Sequence, residues 1–131
     1  MIIGIGTDLV DAKRIEQLMN KNLESFVGKL FSEEEQLQAE TRQGERRILF
    51  YATRFAAKEA CAKALGTGIA EGIAFKDIRI HNDALGCPMI TLHGKAFEHL
   101  EEKAGSAIPR IDLSLSDEYP MCTAFVVISA E

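Results

Sequence analysis

Between Ile2 and Val10 the chain is apolar apart from Thr7 and Asp8, and it carries glycines at positions 4 and 6. A short, isoleucine-rich run of this kind reads as a strand buried on both faces. Asp11 then opens a helix to about Lys21, with Ile15, Leu18 and Met19 as its apolar stripe. A further short helix starts near Ser32, where Ser32-Glu33-Glu34-Glu35 has the form of a capping box with acids in the first turn. Thr41 to Glu45 is polar, contains Gly44 and reads as a loop. The strongest helical signal runs from Glu45 to Leu65 and stops at Gly66, with Gly68 two residues on. Beyond it the period shortens. Asp77 to His81 alternates, Asn82 to Gly86 is a turn, and Met89 to Leu92 is the returning strand. Gly94 to Lys103 reverts to helix, and Ile111, Leu113 and Leu115 then alternate with Asp112, Ser114 and Ser116. A turn at Asp117 to Pro120 leads into a last strand, Met121 to Ser129. This order predicts one α+β domain over residues 1–131, a mainly antiparallel sheet packed against a long central helix.

Composition narrows the function classes. Twenty acidic residues against fifteen basic ones give a net charge of −5, which argues against a broad basic surface for nucleic acid or anionic lipid. No apolar stretch approaches membrane-spanning length, so no membrane span is expected. The first residues lack the basic and small-residue pattern of a signal peptide. Cys61, Cys87 and Cys122 are odd in number, far apart and without metal or redox spacing, so a cytoplasmic chain with reduced thiols is expected.

Asp8 is the first residue the fold alone does not explain. It shares a strand face with Gly4, Gly6 and Val10, where an unpaired carboxylate is costly. It needs a cation, several donors or an exposed strand end; capping the next helix is the plain alternative. Gly4-Ile5-Gly6-Thr7-Asp8-Leu9 is no dinucleotide loop, because Leu9 stands where a third glycine is required. Glu59 is the second such residue. Its helical neighbours are Phe55, Ala56, Ala62 and Lys63, so small side chains leave room for close approach, while an ordinary Glu59–Lys63 surface pair is the plain alternative. A strand carboxylate and a helix carboxylate together suit a hard cation such as Mg²⁺, which takes one or two carboxylates plus water and substrate phosphate. Arg54, Lys63 and the Gly66–Gly68 turn then offer phosphate contacts, although Gly66 is equally explained as a helix cap. His81, His93 and His99 have no metal spacing, the first two falling on strands and the third on a helix. Ser114 and Ser116 lack a nucleophile elbow. Lys13, Arg14 and Lys21 form a basic edge on the first helix, either merely solvated or a docking face for an acidic partner.

Taken together, these motifs resemble a known family. Met1 to Ile15, with Gly4-Ile5-Gly6-Thr7-Asp8 at its centre, is similar to the amino-terminal signature of the holo-(acyl-carrier-protein) synthases, the small bacterial 4′-phosphopantetheinyl transferases. Phe31-Ser32-x-x-Glu35 and the long run from Arg54 through Lys58-Glu59 and Lys63 to Gly68 resemble its later motifs, as do Gly86-Cys87-Pro88 and Leu113 to Ser116. The resemblance covers essentially the whole chain. It implies transfer of 4′-phosphopantetheine from coenzyme A to a serine of apo acyl carrier protein, a step serving fatty acid biosynthesis, with adenosine 3′,5′-bisphosphate released. It puts Asp8 and Glu59 at the Mg²⁺ ligands and Lys63 near the phosphates or the attacking serine. Arg54 falls near a coenzyme A phosphate, and Gly66 lies in the cofactor-binding turn. A metal-bound water or a nearby carboxylate takes the serine proton. The resemblance further implies a homotrimer with sites between protomers, and Arg14 with its basic neighbours facing the carrier protein. One position departs: many relatives have histidine after the Ser-x-Ser/Thr strand, where this chain has Asp117, so no phosphate contact carries over there. Two other readings stand beside the transferase, a Mg²⁺-dependent coenzyme A pyrophosphate hydrolase and a non-catalytic coenzyme A or carrier-protein binding module.

Overall fold

The computed structural model describes all 131 residues. In chain order the elements are β1 (Ile2–Asp11), α1 (Ala12–Lys21), α2 (Leu23–Leu30), α3 (Glu33–Glu40) and α4 (Glu45–Leu65). A 3₁₀ turn at Phe75–Asp77 precedes β2 (Ile78–Asn82), β3 (Pro88–Leu92), α5 (Gly94–Ala104), β4 (Pro109–Glu118) and β5 (Met121–Ala130). The strands form two antiparallel sheets, one ordered β1-β5-β4 and a separate β2-β3 hairpin. The architecture is therefore α+β with antiparallel pairing, as the pattern predicts.

Helix α4 is the axis of the core. Its alanines 52, 56, 57, 60, 62 and 64 are buried together with Val10, Cys122, Ala124, Val126 and Ile128 from the inner sheet face. Small side chains let the helix sit unusually close to β1. A Cβ on Gly6 would lie 2.0 Å from the Ala60 carbonyl oxygen, and one on Gly4 2.0 Å from that of Ala64. Both glycines are thus required by contact between two backbones, which no rotamer change relieves.

The strand β1 departs from its expected burial. Only its inner face is covered: Ile5 is 60% and Leu9 63% exposed, and Phe125 beside them on β5 is also exposed. An apolar run does not say what covers each face of a strand; here α4 covers one and the other is open. The helix α2 is a second difference, since no helix is predicted over Leu23–Leu30. Asn22 ends α1 and at once caps α2, accepting from the Ser25 N–H at 3.1 Å. Asp117 and Glu118 extend β4 and leave Tyr119 and Pro120, joined by a cis peptide, as the connection to β5. His93 is the residue before α5 and not part of a strand.

A buried ion pair locks the layers. Glu35 completes the capping box of α3, accepting from the Ser32 N–H at 2.8 Å while the Glu35 N–H donates to Ser32 Oγ at 3.2 Å. The same carboxylate accepts from Lys58 Nζ at 2.8 Å and, through its second oxygen, from the Ile80 N–H at 2.9 Å. Lys58 also donates to the Phe75 carbonyl at 3.0 Å, and the Lys58 and Glu35 side chains are 0% and 2% exposed. Burial pushes the Lys58 pKa down, and the charge and hydrogen bond of Glu35 oppose that shift. Four elements, α3, α4, the 3₁₀ turn and β2, therefore meet at one pair of charges.

Candidate active site

Asp8 lies on the inner face of β1 in line with Gly6, so the close approach to α4 brings its carboxylate against the helix. It does not cap α1; Asp11 does, accepting from the Lys13 N–H at 2.9 Å. Lys63 Nζ, from the last turn of α4, donates to Asp8 Oδ1 at 3.1 Å and to the Thr7 carbonyl at 3.0 Å. The ammonium thus reaches across to the strand, where an ordinary helix-surface pair would have it on Glu59. Glu59 stands one turn earlier. Burial raises its pKa above the ordinary value, the Asp8 charge raises it further, and Lys63 and Arg14 pull it back. Two carboxylates, one ammonium and one guanidinium therefore share a single electrostatic neighbourhood, although they come from β1, α4 and α1.

This donor set fits a hard divalent cation. The carboxylates feel each other's charge, and Asp8 is only 17% exposed. No third acid, histidine or cysteine joins them in a closed metal cage. Two carboxylates without a cage suit an octahedral ion that keeps water and takes substrate phosphate oxygens as its remaining ligands. Nearby, Gly66 caps α4 with a left-handed backbone, φ 87°, and the Gly68 N–H closes on the Ala62 carbonyl at 3.1 Å. Gly66 is exposed, and a Cβ there would meet only Lys103 Nζ, at 3.7 Å.

A model of the 4′-phosphopantetheinyl transferase superfamily matches residues 4–124. The chain belongs to this superfamily. A holo-[acyl-carrier-protein] synthase from Nitrobacter winogradskyi is 43% identical over 133 residues, covering 99% of this chain and 96% of the relative. The crystal structure of the holo-[acyl-carrier-protein] synthase from Neisseria meningitidis is 43% identical, with a TM-score of 0.85 over 98% of this chain and 99% of that one. That of a holo-(acyl-carrier-protein) synthase from Bacillus anthracis, in complex with CoA (3′,5′-ADP), is 35% identical, with a TM-score of 0.79 over 98% and 96% of the two chains. The fold and the transferase family therefore agree along the whole chain.

Within one chain of this transferase, Arg54 does not join Asp8 and Glu59. Five positions at 3.6 residues per turn put it about 140° around α4 from Glu59. Its guanidinium lies 4.0 Å over the Phe50 ring, Nη1 donates to Thr53 Oγ1 at 3.2 Å, and its buried Nε has no partner. Burial, with the Arg42 charge second, holds its pKa down to about 10. Arg54 lines a cavity of about 320 Å³ with Arg42, Arg46, Phe50, Thr53 and Asp117. Arg42 and Arg46 are absent from the residues singled out in the sequence, and Asp117 figures there only as a departure from the family pattern, with no site role. The helical part was legible, since Arg46, Phe50, Thr53 and Arg54 follow one another at steps of four, three and one along one stripe of α4.

The basic edge of α1 is where the sequence puts it. Lys13, Arg14 and Lys21 are exposed, and Arg14 also lies close enough to Glu59 to act on its charge. Lys21 borders a groove of about 430 Å³ between α1 and α2, whose other lining includes Leu18, Phe26, Lys29 and Leu30. Phe26 and Lys29 were out of reach of sequence reasoning because α2 itself was not foreseen.

Proposed function

We propose that this chain transfers 4′-phosphopantetheine from coenzyme A to a serine hydroxyl of apo acyl carrier protein, with Mg²⁺ held by Asp8 and Glu59. The observation that carries the reading is the meeting of Asp8, Glu59 and Lys63 where β1 and α4 touch. In the reaction the serine oxygen bonds to the β-phosphorus as the bond to the bridging oxygen breaks, and adenosine 3′,5′-bisphosphate leaves. Mg²⁺, when bound, supplies charge neutralisation for the pyrophosphate. Asp8 and Glu59 hold it through oxygen, and the backbones of β1 and α4 fix where those oxygens stand. Lys63, half exposed beside them, offers a movable ammonium for the phosphate. Gly66, exposed at the end of α4, allows close approach of the nucleotide to the main chain.

Arg54, with Arg42 and Arg46, forms a second anion-binding wall on the other side of α4, suited to a further coenzyme A phosphate. Two half-sites that one chain does not unite support a homotrimer with shared sites. So does the uncovered outer sheet face, where Ile5, Leu9 and Phe125 present apolar surface next to Thr7 and Thr123. Lys13, Arg14 and Lys21 form the docking edge for an acidic carrier protein, with the α1–α2 groove as its apolar floor. An activity of this kind would serve fatty acid biosynthesis.

Mass spectrometry of apo acyl carrier protein incubated with the chain, coenzyme A and Mg²⁺ tests the reading. The carrier gains one phosphopantetheine moiety, and Asp8→Asn or Glu59→Gln lowers the rate at least about a hundredfold with the circular dichroism unchanged. Coenzyme A consumed without a carrier mass gain would make the chain a hydrolase. Coenzyme A bound but neither consumed nor transferred would make it a binding module.

A further inference from the structure

Lys63 is more than a free ammonium near a phosphate site. It is tied to β1 by two bonds, to Asp8 Oδ1 at 3.1 Å and to the Thr7 carbonyl at 3.0 Å. Its origin in the last turn of α4, where the helix runs tightly against Gly4 and Gly6, sets that reach. Asp8 is therefore the meeting point of two demands. A divalent cation needs the carboxylate, and a positive charge at hydrogen-bond distance from its oxygen repels that cation. The repulsion is relieved when the ammonium swings to another anion, and the half-exposed Lys63 stem is free to do so. A phosphate oxygen is such an anion, since it offers the ammonium a charge-assisted bond of the kind it gives up at Asp8.

We propose that Lys63 competes with the divalent cation for Asp8, so that the protein alone binds the cation weakly and binds it tightly only when a phosphate draws the ammonium away. The proposal rests on the assignment of Asp8 and Glu59 as cation ligands. It adds an order to the site: cation and phosphate-bearing substrate favour each other's binding, and by reciprocity each raises the other's affinity by the same factor. Lys63 then acts twice, as a brake on cation binding by the empty-handed enzyme and as a phosphate contact afterwards.

The test is calorimetric titration of the protein alone with Mn²⁺, with no coenzyme A and no turnover. Lys63→Met keeps the apolar stem and removes the charge; because the side chain is half exposed, the fold is expected to survive, and circular dichroism verifies it. Lys63→Met binds Mn²⁺ at least about tenfold more tightly than the parent chain, whereas Lys63→Arg, which keeps the charge, stays within about threefold of it. Asp8→Asn abolishes the binding in both the parent and the Lys63→Met background. Equal or weaker Mn²⁺ affinity in Lys63→Met, with the Asp8 dependence intact, overturns the competition and leaves the ligand assignment standing. Mn²⁺ binding that ignores Asp8→Asn overturns both.

Discussion

Methionine at position 58 would strand the Glu35 carboxylate in a site with almost no access to water. Methionine nearly matches the lysine stem in volume, so no cavity forms and the cost is electrostatic. Two bonds disappear, the 2.8 Å ion pair to Glu35 and the 3.0 Å bond to the Phe75 carbonyl. Breaking a buried ion pair by removing one partner typically costs about 3–5 kcal/mol. Here Glu35 keeps the Ser32 and Ile80 N–H donors, which places the expected loss for Lys58→Met near the lower end, about 3 kcal/mol. Against a total stability of about 5–15 kcal/mol for such a domain, that is a large fraction. Urea unfolding followed by circular dichroism reads the loss as a lowered midpoint at unchanged slope. A cycle with Glu35→Gln separates the pair from its surroundings: the double variant is expected to cost less than the two singles together, by about 1 kcal/mol or more. A loss below about 1 kcal/mol for Lys58→Met, or strict additivity in the cycle, would refute the reasoning.

Four further outcomes follow from the geometry. Gly6→Ala sets a methyl against the Ala60 carbonyl, so β1 must lift from α4; a loss of about 3 kcal/mol in urea unfolding is expected, and a neutral result would contradict the contact. Glu59 has its pKa raised above the usual 4.5, first by burial and then by Asp8, so its ionisation costs stability at pH values above that raised pKa and costs none below 4.5. Glu59→Gln in EDTA is therefore more stable than the parent chain at pH 7 to 8, and urea midpoints should converge as the pH falls towards 4.5; divergence on acidification would reverse the sign. Leu9→Arg charges the exposed outer sheet face and should leave a folded monomer in sedimentation velocity if that face joins protomers. Arg14→Glu should raise the KM for carrier protein well above any change in the KM for coenzyme A, and equal changes would remove the docking role.

The parts of the fold that read directly from sequence are those governed by local periodicity. The Ser32–Glu35 capping box, the Gly66 stop and the hairpin after Asp77 depend on neighbours a few residues away, and they stand where the pattern puts them. The helix α2 escaped because its eight residues hold Gly28 and start from an asparagine that already ends α1. The exposed side of β1 escaped because an apolar residue does not say whether helix, sheet or a second copy covers it. At the site, Asp8 stood out as a costly carboxylate in an apolar strand and Glu59 by its small neighbours, but the tie between Lys63 and Asp8 did not. Lys63 pairs with a residue 55 positions away, whereas local spacing points to Glu59. Arg42, Arg46 and Asp117 meet only because the connection before α4, the first turn of α4 and the end of β4 come together in three dimensions.

The glycine contact between β1 and α4 carries one more implication. Most protein sites inherit their geometry from side-chain packing, so a core substitution that alters volume also shifts the reacting groups. Here the approach of β1 to α4 is set where Gly4 and Gly6 meet the Ala64 and Ala60 carbonyl oxygens, a main-chain contact with little compliance. Residues away from that contact, such as the buried Lys58 and its partner Glu35, can then trade stability up or down while the approach of the strand carrying Asp8 to the helix carrying Glu59 is held by the main chain. Much of the stability and the strand–helix approach thus rest on different residues, with the two glycines serving both.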